Sequence, residues 1–196
     1  MKEYDSEAET RKHIATVSKL ISKVIASLLD KQIFHDSSKL EEPEKSVFDE
    51  YTPKLKNSTY GSEEYKQFLK GMGVALEHHY KVNRHHPEHY KLKKCVMCQG
   101  IFKSEECLLP PNDSENRFCP ECGGGSIIYE CSVEGYIGLD GMSLMDIIEM
   151  LCDWQAATLR HADGDILKSI EINQKRFKYS DEMKQILLNT IGDLEL

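Results

Sequence analysis

The chain has 196 residues, enough for one ordinary domain, or for one domain with a small module, and long enough to bury a core. Apolar residues make up 40% of it, and its formal net charge of −8 argues against a broad nucleic-acid surface built on phosphate contacts. The N-terminus is acidic and polar, unlike a secretory signal, and no apolar run approaches the roughly 18 residues of a membrane span. We therefore expect a cytoplasmic protein with small rather than polymeric partners.

The first predicted helix runs from Lys12 to about Leu29. Its apolar side chains recur every three or four residues, the spacing of one helical face, and His13 shares that face. We therefore expect His13 on a buried stripe. The acidic stretch of residues 41–62 contains Pro43 and Pro53 and is predicted to form short helical pieces and turns.

The next clear helix is predicted to begin after Ser62, a suitable N-cap residue. It should end before Pro87, because a proline disfavours helical conformation in the residue that precedes it. The spacing of its apolar residues predicts that one face carries Phe68, Met72, Ala75 and His79.

Five of the eight histidines fall within twelve positions around the end of this helix: His78, His79, His85, His86 and His89. Such a cluster can be a set of metal ligands, or a solvated helix end where histidines favour the helix dipole. We predict ligation for His79 and for one of His85 and His86. Both interpretations stay open for His78 and His89.

Residues 93–138 differ in composition from the rest, since glycine, proline and cysteine are frequent and helical periodicity is lost. Four of the seven cysteines form two C-x-x-C pairs separated by twenty residues. Each pair would place two thiolates on one tight turn, and two such turns complete a tetrahedral zinc shell. A redox dithiol is the weaker alternative. We predict a zinc ribbon with a short β segment, its structural Zn²⁺ held by Cys95, Cys98, Cys119 and Cys122.

Helical patterns return after residue 139. Three helices are predicted to begin at capping residues, namely Ser143 with Asp146 at the third position, Asp165 or Gly164, and Ser180. The predicted fold class is thus mainly α, a helical bundle made by residues 1–92 and 139–196 and interrupted by the ribbon of residues 93–138.

The first of these three helices has an acidic edge, formed by Asp146, Glu149 and Asp153 at helical spacing. Its other positions are apolar, and we expect Cys152 to be a small core residue. A carboxylate at the margin of a buried helix costs free energy unless it is paired with a cation or a metal. The edge is therefore a second source of candidate ligands.

Three sequence elements together resemble the HD-domain superfamily of metal-dependent phosphohydrolases: "HDSSK" at residues 35–39, "HHYKVNRHHPEHY" at 78–90 and "DIIEMLCDWQAA" at 146–157. They fall where the HD-GYP group has its HDxGK element, its paired-histidine loop and its final aspartate. "NRHHPEHY" with "GMSLMDIIEMLCDW" looks still more like an uncharacterised HD-like family common in phage and bacterial genomes. The resemblance covers roughly residues 10–92 and 139–190 and implies an HD-like bundle, in the host cytoplasm if the protein is phage-encoded.

The resemblance also implies a set of site residues and metals. A first divalent ion would be held by His13, His35, Asp36 and Asp153, with Asp36 bridging to a second ion bound by His79 and His86. Asp36 and Lys39 would be the catalytic residues, with Lys39 as a phosphate contact. Imidazole and carboxylate ligands suit Mn, Fe, Co, Ni, Zn or Mg, so one or two ions of any of these are possible. The GYP tripeptide is absent, which argues against hydrolysis of a cyclic dinucleotide.

The function that we expect is metal-dependent hydrolysis of a phosphate ester, with a nucleotide or a related compound as substrate. The alternative is a non-catalytic HD-like scaffold whose zinc ribbon binds a protein or nucleic-acid partner. The charges of the ribbon are mixed, which favours a protein over DNA. A third interpretation is a zinc-dependent nucleic-acid enzyme in which the ribbon grips a strand.

Overall fold

The chain is mainly α-helical in the computed structural model, as the sequence predicts. The structure describes residues 5–59, 62–90, 92–94, 101–103, 129–130, 139–160 and 164–195. The chain divides into two compact units, Met1–His35 and Asp36–Leu196. Among the described residues, no helix is long and apolar enough to cross a membrane.

The first unit consists of one long helix, α1 (Ser6–Phe34), which is longer at both ends than predicted. It begins at Asp5, whose carboxylate accepts a hydrogen bond from the backbone N–H of Glu7. None of the described residues of α1 is buried, and His13 is exposed, so the predicted buried stripe is not found. Periodicity correctly identifies an apolar face of α1, but it does not reveal what covers that face.

The second unit contains five α-helices among its described residues: α2 (Lys45–Lys56), α3 (Glu63–Val82), α4 (Leu144–Thr158), α5 (Ile166–Phe177) and α6 (Asp181–Asp193). The predicted N-caps are confirmed, since a backbone N–H in the first turn donates to the side chains of Ser62, Ser143, Asp165 and Ser180. The predicted short helical piece in the acidic stretch is α2, and Pro53 lies inside it without ending it, since α2 continues to Lys56. A proline in a helix removes its own N–H donor, and here the remaining hydrogen bonds still maintain the helix.

The hydrophobic core of the second unit is formed by α4, α5 and α6 and the segment between α5 and α6. Its buried side chains are Ile147, Met150, Leu151, Ile166, Ile170, Phe177, Tyr179, Leu187 and Ile191. Cys152 is exposed, so its predicted place in this core is wrong. A step of one residue along a helix turns the side chain by about 100°, which takes Cys152 away from the face that buries Leu151.

α3 packs against α2 and buries the predicted face, with Met72, Ala75 and His79 all buried. A Cβ atom added at Gly71 would lie 2.5 Å from the hydroxyl of Tyr51 on α2, so the two helices approach closely there. Gly73 has a φ of 43° and a ψ of −118°, and it joins two helical pieces across a kink. Glycine adopts this conformation because it has no Cβ. The kink therefore sets the direction of the helical segment that carries His79 and ends at Val82.

Three short strands form an antiparallel sheet in the order β2–β1–β3, with β1 at Leu92–Lys94, β2 at Ile101–Lys103 and β3 at Tyr129–Glu130. In sequence, one C-x-x-C pair falls between β1 and β2 and the other between β2 and β3. The four cysteines, Cys95, Cys98, Cys119 and Cys122, lie outside the described residues. The structural zinc and the boundaries of the ribbon therefore remain predictions.

We expect Gly73→Ala to destabilise the protein by about 1–2 kcal/mol, because alanine is strained at this positive φ. Gly192→Ala in α6 is the matched control, since an added Cβ there meets nothing within 4 Å. Alanine at that helical position should be neutral or stabilise by up to about 1 kcal/mol. Urea unfolding followed by circular dichroism measures both free energies, and equal values for the two variants would contradict the role of the kink.

Candidate metal centre

One carboxylate and three imidazoles converge in the second unit. Asp36, His79, His85 and His86 each offer one ligand atom, and these four atoms lie within 4.8 Å of one another. The Nε2 atoms of His79 and His85 are each 3.4 Å from Oδ1 of Asp36. The Nε2 atoms of His79 and His86 are 2.8 Å apart. The structure thus brings together the predicted Asp36, His79 and His86, and it adds His85, which the sequence left as an alternative to His86.

Three separate stretches of chain supply these four residues. Asp36 immediately precedes a short 3-10 helix, Ser37–Leu40, and has a φ of 54°, a left-handed conformation that Asp tolerates better than most residues. His79 lies in the last turn of α3. His85 and His86 follow α3 in the connection that ends with a second 3-10 helix, Pro87–Tyr90. The left-handed turn at Asp36 and the connection after α3 therefore bring the carboxylate and the paired histidines to the end of α3.

Burial favours the neutral form of two of the imidazoles. Burial first, and then the ammonium of Lys39, lower the pKa of His79 below its ordinary value. Burial, followed by the proximity of His85 and His79, lowers the pKa of His86 well below its usual range. A neutral imidazole is the form that binds a metal ion.

Lys39 lies at the edge of this group, where the sequence predicted it. Its Nζ atom is 2.5 Å from Oδ2 of Asp36 and 4.9 Å from the centroid of the Phe48 ring. The carboxylate of Asp36 is therefore shared, with one oxygen toward the imidazoles and the other toward an ammonium. This arrangement compensates the charge of Asp36 while leaving Oδ1 directed at the histidines.

The acidic edge of α4 contributes two further carboxylates. Asp153 offers a ligand atom within 4.8 Å of those of Asp36 and His85, so this predicted ligand also reaches the site. Oε1 of Glu149 lies 3.2 Å from Nδ1 of His85, whose Nε2 atom faces Asp36. A carboxylate on Nδ1 fixes the orientation of a histidine and leaves Nε2 for a ligand.

The third acidic residue of this edge, Asp146, anchors the connection that carries His85. It is 1% exposed, and its Oδ2 atom accepts hydrogen bonds from the Tyr90 hydroxyl at 3.0 Å and from the backbone N–H of Ser143 at 2.9 Å. Arg84 reaches the same oxygen at 3.4 Å. The start of α4 and both ends of the histidine connection are thereby tied to one buried carboxylate.

Glu44 is part of the site although the sequence did not indicate it. Its side chain is fully buried, with Oε2 at 2.8 Å from Nδ1 of His79 and Oε1 at 2.8 Å from Nδ1 of His78. The hydroxyl of Ser38 donates to Oε2 at 3.0 Å. In the sequence Glu44 is one of several acids in a polar stretch, and no spacing distinguishes it from the others.

The structure does not bring His13 and His35 together. Both belong to the continuous run of α1 and its C-cap, and 22 residues of helical rise separate them by about 33 Å. These two histidines of one chain therefore cannot bind the same ion. His35 directly precedes Asp36 in the chain and remains a predicted ligand.

The two histidines for which both interpretations were open have local partners. His78 contacts Glu44, and Nδ1 of His89 lies 3.1 Å from the carbonyl oxygen of Tyr80. Neither belongs to the groups of residues that could hold a metal among the described parts of the chain. They fit the interpretation of histidines at a helix end better than that of ligands.

The residues present fit a divalent metal. Ligand atoms about 2.0–2.1 Å from a tetrahedrally bound ion lie about 3.3 Å from one another. Both separations from Asp36 Oδ1 are 3.4 Å, close to this value. The 2.8 Å between His79 and His86 would widen by only about 0.5 Å. The site therefore needs a small rearrangement, and its nitrogen and oxygen ligands admit Mn, Fe, Co, Ni, Zn or Mg.

Comparison with known proteins gives a match that spans nearly the whole chain. The sequence profile of a family of unknown function, DUF5662, matches residues 2–193. No curated protein and no solved structure matches this sequence. The comparisons thus place the chain in a family without assigning an activity.

We expect the protein to bind Mn²⁺ or Co²⁺ in addition to any zinc held by its cysteines, and we expect His85→Gln and Asp36→Asn to lose that metal. Both residues belong to both groups of candidate ligands; His85→Gln removes the imidazole, and Asp36→Asn removes the negative charge of the carboxylate. His89→Gln is the matched control, because it changes a histidine of the same connection that contacts a carbonyl instead. Elemental analysis after equilibrium dialysis measures the ions per chain, with circular dichroism to verify folding. Full metal content in folded His85→Gln and Asp36→Asn would refute the centre.

Proposed function

The chain belongs to the DUF5662 family, and we propose from its candidate metal centre that it is a metal-dependent phosphohydrolase acting on a nucleotide or a related phosphate ester. The observation that carries the proposal is the convergence of Asp36 with His79, His85 and His86, with Lys39 on the second oxygen of the carboxylate. A bundle of helices with ligands of this kind is also what the resemblance to the HD-domain superfamily implies.

A divalent metal bound by these residues would supply an activated water and would polarise a phosphoryl oxygen. The protein's own part is to hold the ligands in place and to balance charge. His79 and His85 each have a carboxylate at Nδ1, which leaves both Nε2 atoms directed at Asp36. The ligand set is thus oriented before a metal binds.

Lys39 is the residue that we propose to contact the substrate. Its ammonium is held next to Asp36, half-buried between the carboxylate and the Phe48 ring. A cation fixed within hydrogen-bond reach of the centre can stabilise the negative charge that develops on phosphoryl oxygens. Lys39 would therefore stabilise the charge of the transition state directly, whereas Asp36 would contribute by binding the metal.

The zinc ribbon is proposed as a separate, structural element. The antiparallel pairing of β1 with β2 places Lys94 opposite Ile101, so residues 95–100 connect two adjacent strands. A C-x-x-C pair in such a connection is typical of a zinc turn. β3 pairs with β1 on its other side and follows the second pair in sequence.

We expect phosphate release from a panel of nucleotides and simple phosphate esters in the presence of added divalent metal. Asp36→Asn should lower kcat/KM at least about 100-fold, because it replaces the anionic ligand of the metal by a neutral amide. A double change of His35 and Asp36 should be at least as damaging. Activity of the double variant equal to that of the wild type would end the proposal.

Lys39→Met should lower kcat by about 10–100-fold while the metal content stays unchanged. Lys66→Met is the matched control, because Lys66 also pairs with an acid three residues before it, Glu63, but at the exposed start of α3. Steady-state kinetics with elemental analysis compares the two variants. Equal kinetics would exclude a role for Lys39 at the phosphate.

If the centre binds metal but no phosphate ester is hydrolysed, the alternative of a non-catalytic scaffold with a partner-binding ribbon is favoured. We expect Cys95→Ser to lose one zinc ion per chain and to leave the metal at Asp36 in place, because the two sites share no ligand. Elemental analysis with and without a strong chelator distinguishes them. Retention of the zinc by Cys95→Ser with Cys119→Ser would show that these cysteines do not hold it.

A further inference from the structure

We infer that Glu44 is a positioning residue that fixes the tautomer of His79, so that its Nε2 lone pair faces Asp36. The inference rests on the proposed metal centre for its consequence, but the tautomer itself is a property of the metal-free protein. Nothing in the sequence pattern or in the family match assigns a role to Glu44. Three groups hydrogen-bond to this one buried carboxylate, the imidazoles of His78 and His79 and the hydroxyl of Ser38.

The buried carboxylate of Glu44 bridges two adjacent histidines. Each oxygen lies 2.8 Å from an Nδ1 atom, Oε2 from that of His79 and Oε1 from that of His78. A carboxylate has only acceptors, so each of these contacts needs a hydrogen on the imidazole nitrogen. With a hydrogen on Nδ1, a neutral imidazole carries its lone pair on Nε2.

Among the groups near Nδ1 of His79, Glu44 is the one that accepts its proton. Asn83 Nδ2 lies 2.9 Å from Nδ1 of His79, but it also has acceptors in the Ser38 hydroxyl at 2.8 Å and in the His79 carbonyl at 3.0 Å. Ser38 in turn donates to Glu44. A charged acceptor forms stronger hydrogen bonds than a neutral group, so Nδ1–H is directed to the carboxylate.

The other side of the His79 ring faces the candidate ligands. Its Nε2 atom faces Oδ1 of Asp36 at 3.4 Å and Nε2 of His86 at 2.8 Å. In the opposite tautomer a hydrogen on Nε2 would point into this group and block it as a ligand. Glu44 therefore determines whether His79 can bind a metal, without contacting the metal itself.

The bridging geometry also separates the roles of the two histidines. His78 is more exposed than His79 and does not belong to the candidate metal groups of the described residues. It shares the carboxylate with His79 but contributes no ligand atom. Replacement of His78 should therefore leave the contact between Oε2 of Glu44 and Nδ1 of His79 in place.

The test uses the wild type and Glu44→Gln, which has nearly the same shape. Glutamine has one acceptor and one donor group, so it cannot accept from both Nδ1 atoms. We expect a long-range ¹⁵N–¹H correlation spectrum of the metal-free wild type to show His79 as the Nδ1–H tautomer. In Glu44→Gln, the Nε2–H tautomer should appear at His79, and Co²⁺ affinity, followed by its visible absorption, should fall about 10–100-fold.

Two further variants distinguish positioning from general stabilisation. His78→Asn is the matched control and should keep Co²⁺ affinity within about threefold of the wild type, because His79 retains its carboxylate. Glu44→Asp keeps the charge and should restore part of the affinity lost in Glu44→Gln. Glu44→Gln with wild-type affinity and an unchanged tautomer would overturn the inference.

The outcomes also separate this inference from the proposed function. An Nε2–H tautomer of His79 in the metal-free wild type would refute the role of Glu44 even if phosphate esters are hydrolysed. Conversely, an Nδ1–H tautomer that changes in Glu44→Gln, together with Co²⁺ binding but no hydrolysis, would support the role of Glu44 and reject the phosphohydrolase. The two proposals can therefore fail independently of each other.

Discussion

The site depends on the Asp36 carboxylate, whose two oxygens face different groups. Oδ1 faces the Nε2 atoms of two buried histidines, and Oδ2 faces the ammonium of Lys39. A partly buried carboxylate without such partners would be destabilising, and a neutral imidazole pair alone would not offset its charge. The lysine thus allows the carboxylate to be present in the metal-free protein, and the Nε2 atoms that face Oδ1 are placed where a metal ion could bind.

The surrounding helices supply the orientation that this arrangement needs. The kink at Gly73 lies six residues before His79 in α3 and orients the segment that carries it. Asp146 bonds the connection that carries His85 to the start of α4. Glu44, which precedes both histidines in the sequence, contacts Nδ1 of His79, and Glu149, which follows them, contacts Nδ1 of His85. The contacts of Glu44 with His79, of Glu149 with His85 and of Asp146 with Tyr90 join residues far apart in sequence, so the site forms only when the second unit folds. Metal binding should consequently stabilise the packed second unit as a whole.

Features of the fold and site that depend on local sequence can be predicted from it, and those that depend on distant contacts cannot. The N-caps were found because a Ser or Asp before an amphipathic run has a local effect on backbone N–H groups. His79 is predicted from the histidine cluster and from its place on the apolar face of a helix, whereas Asp36 and Asp153 are predicted because their residue types and positions resemble a known pattern; all three lie in the candidate metal groups. Glu44 was missed because its partners lie 34 and 35 residues away, and nothing in the composition of a polar stretch marks one acid as buried. The exposed state of His13 was missed because an apolar stripe shows that a helix has a face, and the partner of that face is a tertiary property.

The groups of candidate ligands limit how the second unit could hold two ions. Both groups contain Asp36 and His85. A carboxylate can bridge two ions through its two oxygens, but a neutral imidazole has one lone pair, and Nδ1 of His85 is directed to Glu149. His85 can therefore bind only one of two ions. If it joins Asp153, the other ion keeps Asp36, His79 and His86, and each ion then has three protein ligands from the described residues of the second unit. Three protein ligands leave a position for water or substrate, which is the arrangement of catalytic rather than structural metal sites.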